Sequence, residues 1–493
     1  MRGPALLWVF TITAILGLAP TVHADVRVPK VFGSHMVLQQ EQPIPVWGWA
    51  DPGEKVEVSL GMATVATTAD TQGVWRVDLP TMKADGKPLS LKIAGHNTVE
   101  FADVLLGEVW ICGGQSNMGR PVSNEAANGA DVPLLRLFNS SGNFPRKEGM
   151  DDVTPWIICT PTSILTAGDS LGPGKGRRPF SEVAYHFGLK LQQTLKVPVG
   201  LLQVNCGGST AADWTPFPEI GAQLPLDQPV DKITHKQGLL YWVRLRGIIP
   251  FSTRGVIWYQ GEDDGRNGNY FADLRNLIES WRALWKRPDL PFYMAQIQPT
   301  TYAGGMLGVW EAQVRALNEV PHTGLAVSND IYDTTNNSGF KERIDPKSGW
   351  PIAGGSDPHP TGRPLVAERL ADIALVKLHG QPAKPICGPL FESQEPQGNK
   401  IVIKFKNAGS GLTTRDGKEP DWFEISDGTL EGNHPKYVKA VTHITGTDTV
   451  EVSADGMSAP KYTRMGWNAL ARFNLKNKEG LPAVTFRTEP LNK

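Results

Sequence analysis

The 493-residue chain has few cysteines, almost no net charge and no long apolar run beyond its first residues. Its four cysteines are widely separated and form no CxxC pair, which excludes a disulfide-stapled scaffold and the spacing of a zinc ribbon. Lys and Arg number 49 against 50 Asp and Glu, giving a net charge of −1, and the basic residues are scattered. This balance argues against nucleic acid or an anionic membrane surface as a partner.

The composition is that of a globular protein with more than one domain. Hydrophobic residues make up 40% and charged residues 20%, and no polar tract suggests disorder. The length exceeds what a single core accommodates. Cys112 and Cys206 each end an apolar run, so buried free thiols are predicted.

The N-terminus predicts export. A basic start precedes an apolar stretch at 5–18, and Val22-His23-Ala24 forms a small-residue cleavage site. The stretch is too short for a comfortable membrane span. We expect a signal peptide over 1–24 and a secreted or periplasmic mature chain.

Three zones follow the signal peptide. At 25–103, short alternating runs between turns such as DPG and DTQG predict a small, sandwich-like β-domain. At 104–380, buried-strand patterns alternate with helical ones. At 381–493 the alternating pattern returns, which predicts a C-terminal β-domain.

The central zone predicts an α/β fold with a doubly wound, mostly parallel sheet and helices on both faces. Its predicted strands are 109–113, 199–205, 255–260, 292–297 and 324–329. Its predicted helices are 182–195, 270–285, 309–320 and 363–378. Such sheets bind ligands beyond the carboxyl ends of their strands.

Polar, glycine-rich clusters lie at those strand ends or before the last helix. They are 113–118 (GGQSNM), 206–210 (CGGST), 260–264 (QGEDD) and 356–360 (SDPHP). In a doubly wound sheet these clusters share one edge, so residues distant in sequence become neighbours.

Together the clusters contain what an ester hydrolase needs. Ser116 offers a hydroxyl nucleophile, His359 a general base, and Asp357 an acid that orients the imidazole. The oxyanion requires hydrogen-bond donors. Backbone N–H groups of Ser116 and of Gly207 or Gly208 fit that role, and so do side-chain amides; the amide candidates are Asn117, Asn205 and Gln260.

Other chemistries fit less well. Met118 replaces the second glycine of G-x-S-x-G, so the nucleophile elbow of α/β-hydrolases is not supported. None of the ten histidines lies in an H-E-x-x-H motif, and no metal is predicted. A glycosidase using Glu262 and Asp264 as its carboxylate pair would leave Ser116 and His359 without a role.

The chain resembles the sialate O-acetylesterase family of the SGNH (GDSL-like) hydrolase superfamily. The resemblance is carried by EVWICGGQSNM, NCGGSTAADW, GVIWYQGEDD, NLIESWRALW and DPHPTGRPLVAERLA, and it extends to both terminal zones. It implies a Ser–His–Asp esterase that removes acetyl groups from sugar hydroxyls without a cofactor.

The resemblance also assigns individual residues. Ser116 matches the nucleophile, and His359 with Asp357 matches the base and acid of the D-x-H-P motif. Gly208 matches the oxyanion glycine, with Gly207 one register away, and Gln260 lies where a third polar contact is expected. Glu262 is an alternative orienting acid.

Substrate identity stays open. A polar insertion at about 334–356 lies beside the predicted base and is longer than is usual in the family. Arg120 and Arg266 lie near the motifs, but a surface role is the better prediction for each. The leading hypothesis is a sialate-type carbohydrate O-acetylesterase; the alternatives are an acetyl xylan or other polysaccharide esterase and an inactive carbohydrate-binding protein.

Overall fold

The computed structural model describes residues 25–141, 153–171, 175–216, 238–266, 268–302, 304–331, 343–344, 351–353 and 358–490. The predicted signal peptide, most of the 334–356 insertion and Asp357 lie outside these ranges. Within them, no helix combines the length and the apolar character that crossing a membrane requires.

The N-terminal strands are short and antiparallel, except for a small parallel one. They are β1 (Val37–Gln39), β2 (Ile44–Trp49), β3 (Lys55–Leu60), β4 (Ala63–Thr68), β5 (Val74–Leu79) and β6 (Leu89–Ala94). β2 pairs with β5, and β3 lies between β4 and β6. Alternate residues of β3 and β5 are buried, as the period-two pattern predicts.

A 17-residue strand, β7 (Thr98–Gly114), connects this region to the central sheet. Its first part pairs antiparallel with β6, and its last part pairs parallel with two strands of the central sheet. At Asp103 the backbone takes a φ of 53°, and the Asp103 carboxylate binds Arg136 and His35. The predicted boundary between 103 and 104 therefore falls at a bend inside a continuous strand.

The central sheet has the order β13-β12-β11-β7-β10-β8-β9. Besides β7, its strands are β8 (Val132–Asn139), β9 (Thr154–Cys159), β10 (Val199–Asn205), β11 (Gly255–Tyr259), β12 (Phe292–Ala295) and β13 (Thr323–Ala326). All neighbours in this path are parallel except β8 and β9. Five of the strands coincide with the predicted apolar runs, whereas β8 and β9 were not predicted.

Helices cover the sheet on two sides. The helices are α1 (Ser116–Gly119), α2 (Asn124–Asn128), α3 (Glu182–Leu195), α4 (Tyr270–Trp285), α5 (Met306–Glu319) and α6 (Arg363–Leu378). Trp110 of β7 packs against Phe187 of α3, and Trp258 of β11 packs against Trp281 of α4. Trp258 is paired in register with Gly113, and Gly113 lies on the opposite face of β7 from Trp110, because successive residues of a strand alternate between faces. α3 and α4 therefore pack on opposite faces of the sheet.

The C-terminal region is built from short antiparallel strands. Before this region, β14 (Arg343–Ile344) and β15 (Pro351–Ala353) form a two-stranded ladder. The first strands of the C-terminal region are β16 (Leu390–Gln397), β17 (Lys400–Lys406), β18 (Leu412–Thr414) and β19 (Phe423–Ser426). The others are β20 (Leu430–Glu431), β21 (His434–Pro435), β22 (Val438–Lys439), β23 (Val441–Ile444), β24 (Thr449–Ser453), β25 (Tyr462–Met465), β26 (Leu475–Asn477) and β27 (Phe486–Arg487).

Two main apolar cores result. One is shared by the N-terminal strands and the central sheet, and the other lies among the C-terminal strands. Arg487 of β27 binds Glu311 of α5 at 2.8 Å, which ties the C-terminal strands to the central region. The whole is an α/β arrangement with a mostly parallel sheet and additional β-sheet regions. All four cysteines are buried and free, as predicted for Cys112 and Cys206.

Candidate active site

Ser116 lies just past the carboxyl end of β7, where a glycine turn leads directly into α1. Gly114 has a φ of 139°, and a Cβ atom added there would lie 2.1 Å from the carbonyl oxygen of Tyr259. Only glycine allows the backbones of β7 and β11 to lie this close together at Gly114. The turn places Ser116 at the first position of α1, where its side chain is half-buried.

The Ser116 hydroxyl and the His359 imidazole form a hydrogen bond. His359 Nε2 lies 2.9 Å from Ser116 Oγ, although the two residues are 243 positions apart in the chain. His359 is half-buried in the segment before α6. A hydroxyl bonded to an imidazole is the geometry of a nucleophile with its general base. The third predicted member, Asp357, lies outside the described residues.

Gly207 and Gly208 follow β10, and Gly207 lies beside Ser116. A Cβ atom at Gly207 would lie 3.6 Å from Ser116 Cβ, whereas Gly208, with a φ of 72°, faces open space. Both residues are exposed. The structure thus places Gly207 against the serine, with Gly208 the next residue along the chain.

Asn205, the last residue of β10, directs its amide toward α1. Its Oδ1 accepts a hydrogen bond from Gln203 Nε2 at 2.8 Å. A Cβ atom at Gly119 would lie only 2.1 Å from Asn205 Nδ2, so the amide nitrogen rests against the helix that begins with Ser116.

Gln260 is fully buried and braces the loop that follows β11. Its Nε2 donates to the Ser209 carbonyl at 3.0 Å, to the Asp264 carboxylate and, more weakly, to Gln115 Oε1. The Tyr270 hydroxyl donates to Gln260 Oε1 at 3.0 Å. A contact between Gln260 and a substrate oxyanion, as predicted, would require one of these internal bonds to break.

Glu262 is buried and bonded to Asn117, which is also buried. Asn117 Nδ2 donates to Glu262 Oε1 at 2.5 Å and to the Pro358 carbonyl at 2.8 Å. Burial raises the pKa of Glu262 to about 7, against the lowering effect of the Asn117 hydrogen bond. Glu262 thus reaches the His359 segment through Asn117.

Asp264, the other carboxylate of the glycosidase alternative, is buried in the same loop. Burial raises its pKa to about 7, and the hydrogen bonds from Gln260 and from the Ala211 N–H lower it. Its two oxygens accept from Ala211 N at 3.2 and 3.3 Å. Asp264 therefore joins the loop after β11 to the turn after β10.

Two contributors to the site were not predicted from the sequence. Gln298, three residues past β12, is fully buried and donates to the Pro358 carbonyl. Gln115 donates to Asp263 at 3.1 Å. A signal existed for Gln298, because it too follows the carboxyl end of a buried strand; nothing in the sequence indicated its partner.

The two arginines near the motifs lie at the surface or close to it. Arg266 is exposed, and its guanidinium lies 5.9 Å from the centre of the Tyr302 ring. Arg120 is half-buried, and its carbonyl accepts from the Glu182 N–H.

The carboxylates and histidines of the described ranges contain one group with metal-ligand spacing, formed by Asp51, Glu54 and His96. It lies among the N-terminal strands. Glu54 already accepts the backbone N–H groups of Asp51 and His96, at 2.9 and 2.6 Å, and so ties two turns together.

Comparisons with known proteins agree with the resemblance. A family model described as carbohydrate esterase, sialic acid-specific acetylesterase, matches residues 173–343. The human sialate O-acetylesterase is 27% identical over 502 residues, covering 92% of this chain and 90% of the human protein. The Pongo abelii sialate O-acetylesterase is also 27% identical, covering 82% of this chain and 81% of its own.

A solved structure extends the likeness to three dimensions. The crystal structure of a carbohydrate acetylesterase from Xanthomonas citri superposes with a TM-score of 0.76 at 29% identity, covering 95% of this chain and 100% of that one. The chain is similar to sialate O-acetylesterases over most of its length. These relatives are carboxylic ester hydrolases, and the polar edge around Ser116 is the candidate site for such an activity.

Proposed function

We propose that this protein is an exported carbohydrate O-acetylesterase that hydrolyses acetyl esters of sugar hydroxyls by a Ser–His–Asp mechanism. The observation that carries the proposal is the 2.9 Å hydrogen bond between His359 Nε2 and Ser116 Oγ. It stands at the edge of a parallel sheet where ligands of such folds bind.

In the first half of the reaction, Ser116 Oγ attacks the acetyl carbonyl carbon while His359 Nε2 takes the hydroxyl proton. The tetrahedral intermediate then collapses. The bond between the acetyl carbon and the sugar oxygen breaks, and His359 returns the proton to that oxygen. The sugar leaves with a free hydroxyl, and the acetyl group remains on Ser116.

In the second half, His359 takes a proton from water, which attacks the acetyl group on Ser116. Collapse of the second intermediate releases acetate and restores the Ser116 hydroxyl. Asp357 is proposed to hold the imidazole in the orientation that both halves need.

The oxyanion donors are proposed to be the backbone N–H of Ser116, that of Gly208 or Gly207, and one amide. Asn117 and Gln260 both direct their amide hydrogens to acceptors inside the protein. The Asn205 amide nitrogen instead lies against α1. Asn205 is therefore the amide that this arrangement favours.

O-acetylated sialic acid is the proposed substrate, because the curated relatives are named for it. An acetylated polysaccharide such as xylan is the second candidate, supported by the solved relative, which is described as a carbohydrate acetylesterase. We also propose an SGNH-type doubly wound topology for the central zone, with domains at 25–103, 104–380 and 381–493.

Acetate release tests the reaction and its substrate together. The purified mature chain is expected to release acetate from an acetylated aryl ester without added metal, and faster from O-acetylated sialic acids than from acetylated xylan oligomers. Faster release from xylan would transfer the substrate assignment to the second candidate. Loss of activity on chelation would contradict the cofactor-free mechanism.

Export is tested on the protein itself. Expressed with its first 24 residues in a secreting host, the mature chain is expected to begin at Asp25. A secreted protein that keeps its original N-terminus would contradict signal cleavage.

A further inference from the structure

The side chains of Asn117 and Glu262 form a buried pair beneath the His359 segment. Asn117 is fully buried and Glu262 is 1% exposed. A single hydrogen bond of 2.5 Å, from Asn117 Nδ2 to Glu262 Oε1, joins them.

Each member of the pair has one side-chain oxygen without a donor. Asn117 Oδ1 and Glu262 Oε2 are both buried, and no donor of the described residues reaches either of them. Buried acceptors without a donor are costly and rare. An ionised carboxylate cannot relieve this, because it offers only acceptors.

One proton satisfies both oxygens. A neutral carboxyl group carries an O–H donor. With the proton on Glu262 Oε2, that oxygen donates to Asn117 Oδ1 while Asn117 Nδ2 donates to Glu262 Oε1. The result is a closed ring of two antiparallel hydrogen bonds between a carboxylic acid and an amide.

We propose that Glu262 is a neutral carboxylic acid in the working enzyme, and that its ring with Asn117 positions the segment that carries His359. The link to that segment is direct, since Asn117 Nδ2 also donates to the carbonyl of Pro358, the residue before His359. Glu262 thus acts through Asn117 as a positioning residue and not as the acid that orients the imidazole.

The groups around Glu262 favour its neutral form. Asp263 and Asp264 of its own loop are negative neighbours that raise its pKa, after the larger effect of burial. Tyr259 of β11 and Tyr270 of α4 are titratable groups that interact with it. Beyond them, Arg363 acts on Tyr259, and His359 follows Pro358, whose carbonyl accepts from Asn117. Arg363 is paired with Glu182 at 2.8 Å, so its charge is already compensated.

The proposal has a pH consequence whose sign follows from the raised pKa of about 7. Below that value Glu262 holds its proton and the ring is intact. As the pH rises through it, the proton is lost, Asn117 Oδ1 loses its donor, and a charge appears in a buried site. The kcat of the wild type is therefore expected to fall on the alkaline side.

Glu262→Gln separates the two roles, because glutamine reproduces the neutral acid with a permanent donor. If Glu262 is a neutral positioning residue, kcat at pH 6 stays within about threefold of the wild type and the alkaline fall disappears. If Glu262 orients His359 as an ionised acid, kcat falls by about 10⁴-fold, as for the asparagine substitution of a triad aspartate. That result, or an unchanged alkaline fall, would overturn the proposal.

Asp263→Asn is the matched control, since it removes a neighbouring negative charge and leaves the ring untouched. It is expected to keep the alkaline fall, moved to lower pH because a negative neighbour that raises the pKa of Glu262 is removed. Infrared difference spectra between the wild type and Glu262→Gln give a readout besides activity. At pH 6 the wild type should show a protonated carboxyl band that the variant lacks; a carboxylate band in its place would contradict the neutral form.

The inference rests on the proposed function for its link to catalysis, and the two fail differently. If Ser116→Ala retains activity, the nucleophile assignment fails while the infrared result still reports the protonation of Glu262. If Ser116→Ala is inactive and the infrared band is that of a carboxylate, only the present inference fails.

Discussion

At the scale of single residues, the site depends on where each amide hydrogen is directed. Gln260 and Asn117 are buried, and their amide nitrogens donate to acceptors within the protein. Asn205 is also buried, but its amide nitrogen lies beside the helix that begins with Ser116. The three amides are chemically alike, and packing alone gives them different roles.

Asn205→Ala is expected to lower kcat by about 10²-fold to 10³-fold, because one oxyanion donor is lost. Gly119→Ala should lower kcat as well, since its new Cβ atom would displace the Asn205 amide from a position 2.1 Å away. Steady-state kinetics on an aryl acetate measures both effects.

The double variant provides the control for this prediction. If both changes act through the same amide, the double variant is no worse than Asn205→Ala alone. Losses that multiply would show that Asn205 and Gly119 act independently, and the oxyanion role of Asn205 would be wrong.

At the scale of helices and strands, the sequence was informative wherever a periodic pattern was long. The residue ranges predicted for α3, α4 and α6 match the observed helices. α3 and α4 each carry an apolar stripe over about four turns, whereas α6 is buried on more than one side. β8 and β9 were missed. β9 is an antiparallel edge strand with a mixed burial pattern, and β8 is buried at its end but carries Pro133 and Arg136 among its apolar residues.

The same contrast holds for the site. The order of strand ends was sufficient to predict that Ser116 and His359 lie together. The bond between Asn117 and Glu262 was not predictable, since it depends on which rotamers the packed core allows. Residue type and spacing indicate which edge a side chain occupies; they do not indicate its partner.

Substitution of Gly114 tests whether the turn between β7 and α1 positions the nucleophile. Gly114→Ala is expected to lower the free energy of unfolding by about 1–3 kcal/mol or more, because alanine is strained at a φ of 139° and its Cβ meets the Tyr259 carbonyl. It should also lower kcat by shifting Ser116. Urea denaturation and steady-state kinetics measure the two effects.

Gly86→Ala is the matched control for Gly114→Ala. Gly86 also has a positive φ, of 75°, but a Cβ atom there would meet nothing within 4 Å. It should cost stability through backbone strain alone and leave kcat unchanged. Equal losses of activity in both variants would mean that the turn at Gly114 does not position the nucleophile.

At the scale of the whole molecule, the two ends of the parallel strands of the central sheet differ in role. Glu108 begins the parallel part of β7, and Gly114 ends it six residues later, about 20 Å away at 3.3 Å per residue. Glu108 is fully buried and accepts from Arg254 at 2.7 and 2.8 Å and from Gln40 at 2.9 Å. This cluster joins the N-terminal strands to the central sheet.

Arg254→Met is expected to lower the free energy of unfolding by about 3–5 kcal/mol, because the Glu108 carboxylate would be left buried without its cation. Adding Glu108→Gln to this variant should recover part of the loss. Denaturant unfolding measures the stability, and kcat of the folded fraction should stay at the wild-type value. A large fall in kcat would show that the Glu108 cluster at one end of the strands affects the site at the other end.

The central claim is that Ser116 is the nucleophile of an acetyl-transfer reaction, and acid quenching during turnover tests it most directly. Peptide mass spectrometry of the quenched enzyme should find one acetyl group, on Ser116, and Ser116→Ala should show neither this adduct nor acetate release. An acetyl group on another residue, or acetate release that persists in Ser116→Ala, would contradict the account.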